Sequence, residues 1–228
     1  PEVPSDYTLD TLISPVGFSG NDANPELRLA DTVSSLIIPI ALWFTALLST
    51  LRLPTLSPRV LGSTAPTSRL YRWSLAPVFG AVGAQAIVAT VLMHTLGGVS
   101  WSAVGWTSTL IIATAAAFSA LHLAVWMWRP QLLASLSIGA GIIQVITIGV
   151  IPVETLPGLY QALASASPVA WSSDGLIAAI AQAGDSRWIA ALWAMGATIV
   201  AGLLAARIAL WRAREQRVRE VLGLSDPM

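Results

Sequence analysis

Apolar residues in this chain gather into five long blocks with short polar connections between them. The blocks run about from Val33 to Leu53, Leu75 to Leu96, Val104 to Trp128, Leu132 to Ile151 and Trp188 to Trp211. Each comes near the roughly 20 residues that carry a helix across a hydrocarbon layer of ~30 Å. No long alternating strands occur, which argues against a β-barrel. The predicted fold is therefore an all-α integral membrane bundle of five transmembrane helices.

The stretch after the fourth block, GVIPVETLPGLYQALASASPVAW from Gly149 to Trp171, follows a different pattern. Pro152, Pro157 and Pro168 interrupt it. Proline removes an amide donor and clashes with the preceding turn, so the fourth helix should stop near Pro152. The rest stays apolar and predicts short helices joined at prolines, at the membrane surface or dipping into it. SSDGLIAAIAQAGD then predicts a short helix from Gly175 to Ala183 on the outer surface. Ser173 or Asp174 would cap it and Gly184 would end it.

Residues 1–31 are acidic and punctuated by Pro, Gly, Ser and Asn, which predicts an extracytoplasmic loop segment. Residues 32–212 form the polytopic domain, and 213–228 a cytoplasmic tail continuing the last helix. There Arg212, Glu215 and Arg219 stand at helical spacing for ion pairs. The start, PEVPSDYTLD, lacks a basic region and an early apolar run, unlike a signal peptide. It reads as the beginning of a fragment of a longer precursor.

Arginine placement predicts the orientation. The connection between blocks one and two holds Arg52, Arg59, Arg69 and Arg72, and the turn after block three holds Arg129. The last stretch holds Arg207, Arg212, Arg214, Arg217 and Arg219, so ten of the twelve basic residues fall on one side. Positively charged connections stay in the cytoplasm, which puts the N-terminus outside and the C-terminus inside. The chain is then a multi-pass protein of the plasma (inner) membrane. Trp73, Trp126, Trp128 and Trp211 mark one boundary, and Trp101, Trp106, Trp171 and Trp188 the other. Trp43 and Trp193 fall between and are expected to pack between helices.

Composition agrees. The chain is 55% hydrophobic and 11% charged, with a mean hydropathy of +0.70; soluble domains carry about 25% charged residues. The absence of cysteine excludes disulfides, thiol catalysis and cysteine-ligated metal. The basic residues follow topology, so nucleic acid is not an expected partner.

Polar residues inside predicted spans are the default functional candidates. They are Gln85 and His94 in the second, His122 in the third and Gln144 in the fourth. Each reads first as a hydrogen bond to a neighbouring helix; a proton or metal shared by the two histidines is the rarer alternative. No Asp, Glu or Arg sits deep in a span, which argues against a charged proton relay. Gly17 to Gly20, GFSG, resembles the serine motif of intramembrane proteases but precedes every span. No phosphate-binding loop, HExxH or catalytic carboxylate pair occurs, so no enzymatic activity, metal or cofactor is expected. Glu154 could contact substrate headgroups or orient the outer loop; the plainer reading is a solvated helix-end carboxylate. Small residues, among them Gly80, Gly83, Ala84, Ala115 to Ala117, Gly139, Gly141, Gly196 and Gly202, predict close helix packing.

Two stretches carry a resemblance: IIPIALWFTALL in the first span and IPVETLPGLYQALASASPVAW after the fourth. With five spans behind an acidic external segment, they resemble the C-terminal membrane domain of the YhgE/Pip (phage infection protein) family. That family is itself similar to ABC-2-type permeases. The second stretch resembles the external proline-broken helical hairpin between the last two permease spans. The resemblance covers about Ser14 to Leu210. It implies a missing N-terminal half of the same precursor, with one more span and an ectodomain whose end is residues 1–31. It also implies a homodimer or larger envelope complex, membrane lipid as partner, and a possible separate ATPase or large transporter. The arginine-only, alanine-rich composition resembles that of high-GC actinobacteria.

The expected function is a permease-like subunit for export or assembly of cell-envelope lipid, polymer or protein. Arg59, Arg69 and Arg72 would form the cytoplasmic coupling loop. Pro152, Glu154, Pro157 and Trp171 would belong to the outer gate. The alternative is a non-transporting scaffold subunit of an envelope transport complex, or an anchor that phage use as a receptor.

Overall fold

A computed structural model of the chain describes residues 29–53, 61, 63–145, 157–181 and 186–222. These residues are almost wholly helical, with no strand among them. Helix α1 is Leu29–Arg52, α2 Thr67–Thr95, α3 Val104–Trp128 and α4 Leu133–Val145. Two short helices follow, α5 Gly158–Ser165 and α6 Pro168–Ile180, and then the long α7, Ser186–Val221. Single 3₁₀ turns, Trp101–Ala103 and Pro130–Leu132, lead into α3 and α4.

Four helices, α1, α2, α3 and α7, are long and apolar enough to cross a membrane. This is compatible with a multi-pass membrane protein. Their burial is unequal, and the inequality defines the architecture. The most apolar stretch of α3 is 61% buried, against 39% for α1 and 22% for α2 and α7. Helix α3 is the hub, touching α1, α2, α6 and α7, with its most extensive contact on α7. Leu42, Val78, Val82, Leu110, Phe118, Leu176 and Met195 meet in one core. The outward faces are also apolar: Ile87, Val88 and Val91 on α2, and Val200, Leu204 and Ile208 on α7, are exposed. A surface this greasy suits hydrocarbon better than water.

Prolines sit inside two of the long helices, Pro39 in α1 and Pro77 in α2. Packed neighbouring helices make such breaks in the amide ladder tolerable. The turn from α2 to α3 depends on glycine. Gly98 has φ 72°, a conformation that costs glycine little. A Cβ on Gly97 would come within 2.6 Å of the Met93 carbonyl oxygen.

Several expectations are refined. Helix α2 begins at Thr67, two turns before the apolar block. Of the predicted fourth span only Leu132, in a 3₁₀ turn, and α4 are described, too short together to cross a membrane; its remainder, to Ile151, lies outside the described residues. Helix α7 runs unbroken through the tail to Val221, as the spacing of its charges predicts. Its 36 residues span about 54 Å at 1.5 Å each. Glu215 pairs with Arg219 at 2.8 Å and Glu220 with Arg217 at 2.8 Å, while Arg212 lies over the Trp128 ring, 4.8 Å from its centre. Trp193 does not pack between helices: it is 76% exposed. Trp43 does pack between them, at 6%.

Candidate functional site

The short helix α6 is the least expected part of the bundle. The sequence predicts a surface helix beginning at Gly175. The helix instead begins at Pro168 and is inserted against α1, α3 and α7. Its start is specified locally. Ser167 is the N-cap and Pro168 the first helical residue, a position where proline loses nothing. Each of the next amides has a partner. Val169 N–H donates to Gln144 Oε1 at 3.2 Å, Ala170 N–H to Ser167 Oγ at 3.2 Å, and Trp171 N–H to the Ser167 carbonyl at 3.1 Å. Ser167 Oγ also donates to Gln144 Oε1 at 3.4 Å. Gln144, on α4, therefore caps α6 from another helix.

Farther along, Ser172 and Thr114 of α3 share a hydrogen bond of 2.7 Å. Gly175 lets the backbone approach α3 and α7: a Cβ there would overlap Ala191 and come within 2.9 Å of Leu110. Ser172, Ser173, Leu176 and Ala179 are buried, whereas Trp171 and Asp174, one turn apart, are exposed. Ser173 and Asp174, expected as caps, thus lie mid-helix on different faces. Trp171 and Asp174 line a cleft of about 190 Å³ together with Arg187, Ala190 and Ala191 of α7. Water reaches Asp174, but its partial enclosure by the surrounding protein raises its pKa, and the Arg187 charge opposes that shift.

Of the predicted gate residues, Pro152 and Glu154 lie outside the described residues. Pro157 is exposed just before α5 and accepts a hydrogen bond from the Gln161 amide at 3.2 Å. In the coupling loop, Arg59 lies outside the described residues, Arg72 is exposed, and Arg69 lies over the Trp73 ring at 4.6 Å. The loop's described end is clamped by Arg214 of α7, which donates to Thr67 Oγ1 at 2.9 Å and to the Ser63 carbonyl at 3.2 Å.

The two histidines of the predicted spans are not brought together. His94 is held by the Val99 carbonyl at 3.1 Å and Thr107 Oγ1 at 2.9 Å. His122 lies fifteen residues beyond Thr107 on α3, about 22 Å along the axis. That separation excludes a shared proton or metal. His122 Nδ1 donates to the Phe118 carbonyl at 2.7 Å, and its ring packs edge-on against Trp43. Its Nε2 is buried without a hydrogen-bond partner, beside a cavity of about 140 Å³ between α1, α3 and α4. Gln85 Oε1 is likewise buried and unpartnered, at a groove of about 340 Å³ between α1 and α2. No group of three or more potential metal ligands occurs among the described residues.

Asp174 and Arg187 escaped sequence reasoning as a pair because nothing in their spacing links them. The start at Ser167 and Pro168 was also missed, although Ser before Pro is a helix-start signature that could have found it. No known protein family matches the chain, and neither a curated protein nor a solved structure does.

Proposed function

We propose that the chain is a permease-like membrane subunit that moves cell-envelope material outward, with the element containing α5 and α6 as its outer gate. The observation that carries this reading is α6 itself. A thirteen-residue helix is too short to cross a bilayer. It is nonetheless inserted among membrane-length helices, and the Val169 amide in its first turn is capped from α4. Broken helices at membrane depth occur where they are buried in protein or line a path through it. The resemblance to YhgE/Pip and ABC-2-type membrane domains points the same way. In this reading the block Leu132 to Ile151 is the fourth of five spans, the arginine-rich end is cytoplasmic, and the Arg69–Arg72 region is the coupling surface.

The rival, a non-transporting scaffold, is favoured by the closely packed hub and the broad apolar flanks of α2 and α7. Purification in native lipid separates the two. A permease should retain a nucleotide-hydrolysing partner that is lost on Arg69→Glu with Arg72→Glu. A bundle that co-purifies only with a larger transporter, seated flat on an α2 or α7 flank, would establish the scaffold instead.

A further inference from the structure

Among the described side chains, the end of the bundle away from the arginine cluster carries two formal charges, Asp174 and Arg187. They have opposite signs, they are close enough for Arg187 to act on the Asp174 carboxyl, and they line one cleft under the exposed ring of Trp171. The depth of this cleft is marked independently. Next to Arg187, Trp188 donates from Nε1 to the Trp106 carbonyl at 3.2 Å, and the two indoles meet edge to face at 4.7 Å. Paired tryptophans at the ends of spanning helices sit at headgroup level.

A volume of about 190 Å³ exceeds what one water needs and suits a small polar group. We propose that this cleft binds the zwitterionic headgroup of a phospholipid, with the ammonium held by Asp174 and the Trp171 face and the phosphate held by Arg187. The chemistry fits at each point. A carboxylate and an indole face both attract an ammonium, and a guanidinium matches phosphate oxygens in a forked geometry. Two opposite charges lining one cleft suit a ligand that is itself dipolar. An anionic lipid would satisfy Arg187 but place its second polar group against a carboxylate. The inference rests only on the bundle lying in a bilayer and is independent of transport.

The test is competition between lipids for the purified chain, read by native mass spectrometry. Phosphatidylethanolamine should be retained about tenfold over phosphatidylglycerol, the ratio expected from one ammonium held by a carboxylate and an indole face. N-acylation of the ethanolamine, which removes the ammonium, should abolish that preference, and phosphatidylcholine should keep it. Asp174→Asn should bring the two lipids to parity, and Arg187→Gln should weaken both. Trp171→Leu, at an exposed position, should lower the preference without changing thermal unfolding. Equal or better retention of phosphatidylglycerol by the unaltered chain would overturn the proposal without need of any variant. So would a preference that survives Asp174→Asn.

Discussion

Gly202 sits where α7 crosses α3, and a Cβ there would come within 2.9 Å of Ala120 backbone and side-chain atoms. Gly202→Val should therefore destabilise the bundle by about 1–3 kcal/mol, the range for overpacking a close contact. Gly80 has nothing within 4 Å of the same construction, so Gly80→Ala should be neutral or stabilising by up to about 1 kcal/mol. Thermal unfolding in mild detergent distinguishes the two; equal effects would mean that α3 and α7 do not cross there. Asp174 supplies a pH dependence. Its pKa is raised in the folded chain, so the folded state binds more protons than the unfolded one just above the ordinary carboxylate pKa. Stability should then fall as pH rises through that window and recover on acidification. Asp174→Asn should flatten this part of the profile, and an unchanged profile would place the titration elsewhere.

At the scale of elements, α6 is defined by what holds its first turn. Ser167→Ala removes an N-cap, typically about 0.5–2 kcal/mol. Gln144→Leu leaves the Val169 amide buried without an acceptor, about 1–3 kcal/mol. The two side chains share a hydrogen bond, so the double variant should cost less than the sum of the singles. Strict additivity in a double-mutant cycle would show that Gln144 does not cap α6. The sequence predicts polar residues in spans that bond neighbouring helices, and Gln144 does so. It does not predict the partner. That needs the chain to fold back after some twenty residues and present a proline-started helix to α4.

At the scale of the molecule, the alternating run of the long helices gathers Arg52, Arg69, Arg72, Arg129, Arg207, Arg212, Arg214, Arg217 and Arg219 at one end. Cross-helix contacts secure that end: Tyr71 donates to the Leu203 carbonyl at 2.6 Å, and Trp128 Nε1 to the Ala205 carbonyl at 3.0 Å. In the proposed orientation this end faces the cytoplasm. The chain has no native cysteine, so single replacements report cleanly. In intact cells, Ala166→Cys should react with an impermeant thiol reagent and Ser63→Cys should not. The reverse pattern would invert the bundle and remove the outer gate.

The apolar blocks by themselves determined the helical class, the approximate membrane-length segments and the segregation of arginine, because hydrophobic length and charge position are properties of a one-dimensional string. Even the continuation of α7 through its charged tail follows from local spacing. The tertiary structure alone decided which helix is the hub, which tryptophan faces outward, and that two histidines in adjacent spans stay about 22 Å apart. It alone placed α6 inside the bundle and Asp174 beside Arg187. A small-residue stripe permits close approach but does not name its neighbour, and a capped amide or a pair of opposite charges exists only once separate segments are packed together.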